Sequence, residues 1–205
     1  MPIFPLTKFS KTTHDCTLQV VQNIFKVTIL FHLVLVKVIH NLFTFVSGFP
    51  GKKEIVLGDA RKGLESELAA GVEPYDVIVV DAFTGDNLPY HLSTVEAFDL
   101  YLKLLKPDGI LCVNISNWHL ALEPFMRAIG EHYDLPLLGL QTADHYPALQ
   151  FGAKVAFFCR KPEGMADPPF GRNPNQALPI DFTRYRVMPR LPTDEKGSFV
   201  GLIAW

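Results

Sequence analysis

Cysteine is scarce in this chain. Cys16, Cys112 and Cys159 are the only three among 205 residues, and no CxxC pair occurs. An odd, scattered set excludes a disulfide framework and offers no metal-ligand spacing, so no metal is expected. Cys112 and Cys159 lie in the apolar runs GILCVNIS and VAFFCR and read as small buried hydrophobes. A reducing compartment such as the cytoplasm fits that usage. Basic clusters are lacking as well. Nineteen Lys and Arg face 21 Asp and Glu, a net charge of −2. That argues against a dedicated nucleic-acid binder, whose footprint is a basic patch. Glycine is absent from residues 1–41, where Asp15 is the only acidic residue.

A clean membrane span is also lacking. Residues 24–46 are strongly apolar and of about the right length. However, Lys26, His32, Lys37 and His40 interrupt them at a density that spanning segments rarely carry. No small-residue cleavage site follows, which sets aside a secretory signal. The β-branched residues Val27, Thr28, Ile29, Val34, Val36, Val38 and Ile39 suit one or two buried strands, and a buried strand or helix is favoured over membrane insertion.

From Gly51 the pattern becomes regular. Residues 54–57 read as a short strand ending at Gly58-Asp59. Residues 60–70 read as a helix, with Leu64 and Leu68 on one face and Gly71 as its stop. YDVIVV at 75–80 is a near-continuous apolar run, as expected of a strand covered on both faces, and it ends at Asp81. Residues 85–89 are loop. Helical spacing covers 94–105 and stops at the turn signal Lys106-Pro107-Asp108-Gly109. A strand over 110–115 and a helix over 120–132, with Pro124 in its first turn, come next. Residues 137–140 and 155–159 are strand candidates joined by a loop, which suits an antiparallel hairpin at one edge. The alternation predicts an α/β fold with a mostly parallel sheet. Residues 1–41 stand apart as an atypical apolar segment before a domain over 42–205, within which 162–192, rich in proline and polar residues, wrap the surface.

The carboxyl ends of strands are where open parallel sheets bind ligands. Asp59 and Asp81 occupy two such positions, which suggests a cationic or amine-bearing small molecule. Asp59 as a helix cap and Asp81 and Asp86 as turn residues are the plain structural readings beside it. His91 reads as the start of a helix. Asn114 and Asn117 flank a strand end, where lining a site and bonding a loop are both open. Trp118-His119 read as packing over the sheet edge, and Thr193-Asp194-Glu195 as a turn. Asp144-His145-Tyr146 has no accompanying serine or cysteine nucleophile.

Taken together, VLGDAR (56–61), YDVIVVDAFTGD (75–86), LPYHLSTVEAF (88–98), PDGILCVNISN (107–117) and the tail LPTDEKGSFVGLIAW (191–205) resemble the spermidine synthase (polyamine aminopropyltransferase) family, above all its bacterial spermidine-synthase-like members. The likeness covers 42–161 and 191–205. It implies a Rossmann-like, S-adenosylmethionine-dependent methyltransferase-type fold. The implied reaction is transfer of an aminopropyl group from decarboxylated S-adenosylmethionine to an amine such as putrescine. It implies that Asp59, with Ala60 and Phe83, binds the nucleoside of that co-substrate. By the same likeness Asp81 accepts a proton from the attacking amine, and Asp86 and Tyr90 bind the amine. Asp86 lies further from Asp81 than the family pattern has it. Homodimers, common in the family, are an expectation from the likeness alone.

The family's glycine-rich cofactor loop belongs upstream of residue 42, and nothing in 1–41 matches it. Without glycine the backbone cannot readily approach the methionine portion of the ligand. The front is therefore read as atypical or truncated. A methyltransferase-like enzyme using S-adenosylmethionine and a non-catalytic remnant with an incomplete cofactor site stand as alternatives.

Overall fold

A computed structural model describes residues 27–30, 56, 58–82, 89–142, 152–161, 178–188, 190–197, 199 and 202. Its elements, in chain order, are β1 (Val27–Leu30), α1 (Ala60–Ala69), β2 (Tyr75–Val80), a 3-10 turn (Tyr90–Leu92), α2 (Val95–Leu104), β3 (Leu105–Asn114), α3 (Glu123–Tyr133), β4 (Leu137–Gln141), β5 (Lys154–Cys159), β6 (Leu178–Pro179) and a second 3-10 turn (Phe182–Arg184). Six strands form one sheet in the order β1-β2-β3-β5-β4-β6.

The sheet is mixed. β1, β2 and β3 are parallel neighbours, with Leu30 opposite Val80 and Val80 opposite Val113. β5 runs antiparallel between β3 and β4, and β6 is antiparallel to β4. The expected hairpin of the last two main strands thus forms, but β5 is inserted into the sheet rather than hung on its edge. The apolar residues around position 27 supply a strand parallel to β2, as their β-branched content suggested. The rest of residues 24–46 lies outside the described residues. Among the described residues no helix is long and apolar enough to cross a membrane.

Alternation places Ile78 and Val80, Leu111 and Val113, and Ala156 and Phe158 on one face, each at most 3 % exposed. α1, α2 and α3 share a core cluster with these rows through Leu64, Phe98, Tyr101, Leu104, Phe125 and Ile129. Phe98 makes edge-to-face contacts with Phe125 and Phe158, an arrangement that aromatic rings prefer. Right-handed crossovers between strands added in one direction place successive helices on the same face, which agrees with this shared core.

The Lys106–Gly109 turn signal (residues 106–109) is real, but it lies within β3. Between Tyr75 and Val77 the partner strand advances from Leu105 to Ile110, so the ladder carries a bulge. Lys106 is tied to Asp76 at 2.9 Å across it. Gly109 is needed there because a Cβ would lie 2.9 Å from the Asp76 carbonyl.

Part of the segment expected to wrap the surface enters the core. Ile180 and Phe182 are buried, and the Ile180 amide donates to the Gly139 carbonyl at 2.8 Å. Gly139 has no room for a side chain. An added Cβ would fall 2.7 Å from Phe182 Cζ and 2.8 Å from Ile180 Cβ. Gly139→Val should therefore overpack this joint and reduce stability by about 1–3 kcal/mol, read as a lower urea midpoint. An unchanged midpoint would show that the 178–184 segment is not packed on β4.

Candidate active site at the carboxyl edge of the sheet

Parallel pairing decides where the chemistry gathers. β2 ends at Val80 and β3 at Asn114, so Asp81 and Asn114 emerge at one edge. A helix that leads into a parallel strand runs back along it, so its N-terminus lies at the carboxyl edge. The N-termini of α1, α2 and α3 therefore belong to the same edge.

Asp81 follows β2 directly. Its Oδ1 accepts a hydrogen bond from Asn114 Nδ2 at 2.7 Å, and Asn114 Oδ1 accepts from the Ser116 amide at 2.9 Å. Ser116 is linked through its hydroxyl to the Lys154 backbone on β5. Asn117 Oδ1 accepts from the His119 and Leu120 amides, shaping the turn on which Trp118 stands 68 % exposed. Cys112 precedes this cluster on β3. It retains some accessible surface, yet the protein packed around its sulfur, and secondarily the Asp81 charge, pushes its thiol up to about 12. It is no nucleophile near neutral pH.

Asp59 does not end a strand next to β2. Of the run 54–57 read as a strand, Val56 is 66 % exposed and outside any strand, while residues 54, 55 and 57 lie outside the described residues; β2 is flanked by β1 and β3. Asp59 instead caps α1, its Oδ1 accepting from the Lys62 amide at 3.0 Å. Its Oδ2 lies 3.0 Å from His91 Nε2. The Lys62 amide first, and His91 after it, hold the Asp59 carboxyl below its ordinary value of 3.8. Ala60, beside it, opens α1 and is half-buried.

A second network fastens the tail across this edge. Both Arg61 terminal nitrogens meet the Asp194 carboxylate at 2.6 Å, a bidentate fork. Arg61 also donates to the His91 carbonyl and to Thr94 Oγ1, and the Thr94 hydroxyl donates to Asp194 at 2.8 Å. Glu96 accepts from the Asp194 amide. Thr94 is fully buried and caps α2 through the Ala97 amide. Asp194 raises the Arg61 guanidinium further above its ordinary range, and Arg61 holds the Asp194 carboxyl low. Tyr90 is drawn into the same joint. Its hydroxyl donates to the Thr193 carbonyl at 2.7 Å and its ring meets Phe199 edge to face.

One further acidic group drew no functional reading from the sequence. Glu123, in the first turn of α3, is 2 % exposed and pairs with Lys154 at 2.6 Å. Its helix N-terminus favours the negative charge.

Asp59 and Asp81 thus reach one edge through separate networks, Asp59 with His91 and Asp81 with Asn114. Phe83, Asp86 and the Asp144-His145-Tyr146 run lie outside the described residues. Among the described residues no three His, Cys, Asp or Glu side chains cluster as metal ligands.

No protein-family model matches the chain. Over 49 residues, 24 % of its length, it is 39 % identical to the "Probable polyamine aminopropyl transferase" of Bifidobacterium longum (strain NCC 2705). The chain resembles the spermidine synthase family. The aligned residues span 11 % of that relative. Among solved structures, the spermidine synthase from Thermotoga maritima is similar at 16 % identity and a TM-score of 0.47, over 86 % of this chain and 56 % of that one. The O-methyltransferase from Bacillus cereus, solved in complex with SAH, is similar at 15 % identity and a TM-score of 0.42, over 65 % and 61 % of the two chains.

The acid response follows from the lowered carboxyls. A group whose pKa falls on folding stabilises above its unfolded value, here 3.8 for both Asp59 and Asp194, and that contribution is lost as pH drops through the folded value. The Asp194 side chain is 40 % exposed, so solvent screening holds its share to roughly 1 kcal/mol. Asp194→Asn should flatten the loss of stability below about pH 4, followed by urea unfolding at several pH values. An unaltered slope would show that the fork contributes nothing.

Proposed function

We propose that the chain transfers an aminopropyl group from decarboxylated S-adenosylmethionine to an amine such as putrescine, in polyamine biosynthesis in the cytoplasm. The observation that carries this reading is Asp81, which stands at the carboxyl end of β2 with one oxygen held by Asn114. The 49-residue likeness to a polyamine aminopropyl transferase supports it.

The chemistry calls for such a group. The amine nitrogen attacks the carbon next to the sulfonium, the C–S bond breaks, and its electrons return to sulfur as methylthioadenosine leaves. Amines of this kind are mostly protonated at neutral pH, whereas the nucleophile must carry a lone pair. In this reading Asp81 recognises the ammonium and takes the proton as general base. Asp86 and Tyr90 hold the amine by charge-assisted and hydroxyl hydrogen bonds. Asp59, Ala60 and Phe83 hold the nucleoside, with Asp59 oriented by its cap bond and by His91.

One observation favours a second reading. No glycine precedes Gly48, so the backbone approach that a sulfonium ligand usually enjoys after the first strand is lacking. That suits a remnant that binds nothing.

Calorimetric titration with decarboxylated S-adenosylmethionine, S-adenosylmethionine and methylthioadenosine separates these readings. Preference for the decarboxylated form supports aminopropyl transfer. Preference for S-adenosylmethionine supports a methyltransferase, and no heat with any of the three supports the remnant. Asp81→Asn should lower kcat by about 10²–10⁴-fold while sparing methylthioadenosine affinity. Asp59→Ser, which keeps a helix-capping oxygen, should weaken methylthioadenosine roughly 10–100-fold. Unchanged affinity would remove Asp59 from the nucleoside site.

A further inference from the structure

The side-chain amide of Asn114 has one permitted orientation. The Ser116 backbone N–H can only donate, so the Asn114 atom 2.9 Å from it is the oxygen. The Asn114 NH2 is then aimed at Asp81, which it meets at 2.7 Å. Asn114 is also fixed at its backbone, as the last residue of β3, opposite Val155 of β5. Ser116 in turn is clamped to Lys154 of β5 by bonds of 2.8 and 3.3 Å. The chain of contacts runs from the β5 backbone through Ser116 and Asn114 to one oxygen of Asp81.

We infer that Asn114 is a positioning residue for Asp81. By occupying Oδ1 it fixes the rotation of the carboxylate and leaves Oδ2 as the oxygen that receives the amine proton. This rests on the aminopropyl-transfer reading given above. In the balanced step the new C–N bond forms as the C–S bond breaks, and the proton passes from the amine nitrogen to Asp81 Oδ2. Asn114 exchanges no proton. Its part is to hold the acceptor where the proton departs, a placement in which an error of about 1 Å lowers rate by about 10²-fold.

Asn114→Asp separates the two bonds. It keeps an acceptor for the Ser116 amide and removes the donor to Asp81. Turnover is measured with decarboxylated S-adenosylmethionine and putrescine, affinity with methylthioadenosine, and the contact by the side-chain amide signals of Asn114 in the wild-type chain, assigned by their loss in the variant. The expected result is a fall in kcat of about 10–100-fold with KM for the co-substrate and methylthioadenosine affinity within about twofold. Asn114→Ala should match it, and Asn114→Gln, which restores an amide donor, should recover part of kcat. A variant that loses kcat and methylthioadenosine affinity together would mark Asn114 as merely structural and overturn the inference, as would Asn114→Asp with wild-type kcat. If wild-type protein transfers nothing, the aminopropyl reading fails, and the contact is judged by the amide signals alone. Their shift on Asp81→Asn upholds the positioning contact, and their indifference to it overturns it.

Discussion

The parallel pairing of β2 with β3 is the constraint from which the site follows. Parallel strands cannot be joined by a tight turn, so the chain leaves β2 at Asp81, crosses through α2, and re-enters the sheet at its opposite end. With Val80 opposite Val113, the next residue on each strand is Asp81 and Asn114, and their side chains meet at 2.7 Å. A shift of one residue in that register would turn one of the two to the other face of the sheet. The bulge at residues 106–109 matters for this reason. It absorbs extra residues near the start of β3 and lets the rest of the ladder pair in order up to the edge where the polar groups stand.

Around that edge, charge is handled by pairing rather than by exposure to water. Arg61 is 14 % exposed and shares its fork with Asp194, Thr94 and the His91 carbonyl. Glu123 is almost completely covered and is matched by Lys154. Removing one member of a covered pair leaves an uncompensated charge, which is costlier than never having the pair. The tail segment 190–197 is bound to α1 and α2 by charge and by the Tyr90–Thr193 bond, with Leu191 packed against the core beside them. Tyr90 stands in that joint with its hydroxyl already donating to Thr193, so binding an amine through the same hydroxyl would use its acceptor lone pairs.

Much of the scaffold was legible in the residues because local signals agreed with tertiary demand. Gly71 marks the end of α1, YDVIVV marks β2, and Pro124 marks the first turn of α3, as the structure bears out; of the two leucines read as one face of α1, Leu64 is buried and Leu68 is exposed. The strand expected at 54–57 was less secure. A short apolar run has no period long enough to separate strand from coil; Val56 stands outside any strand, residues 54, 55 and 57 lie outside the described residues, and β2 pairs with β1 at Val27–Leu30. The ion pairs were not legible at all. Arg61 and Asp194 are 133 positions apart, and nothing local distinguishes Asp194 from an ordinary turn residue. The turn reading was itself sound, since Thr193 and Lys196 close one. Glu123 looked like any acidic residue at a helix start, and only the fold reveals that it is covered.

The two sides of the sheet's carboxyl edge differ in the glycines and the carboxylates that they offer. In doubly wound sheets the turn after the first strand carries glycines so that the backbone can approach the ligand. Here the strand beside β2 ends at Leu30, and the following residues, FHLVLVKVIHN, offer none before Gly48. On the other side, Asp59 keeps a carboxylate fixed by two bonds at a helix N-terminus, and Asp81 keeps one fixed by Asn114. In the aminopropyl-transfer reading proposed above, recognition would lean on carboxylates that favour amines and exocyclic amino groups, with less backbone contact to a sulfonium tail. On that reading, chemistry at Asp81 would depend on how well the amine itself is held, because less orientation would come from the co-substrate side.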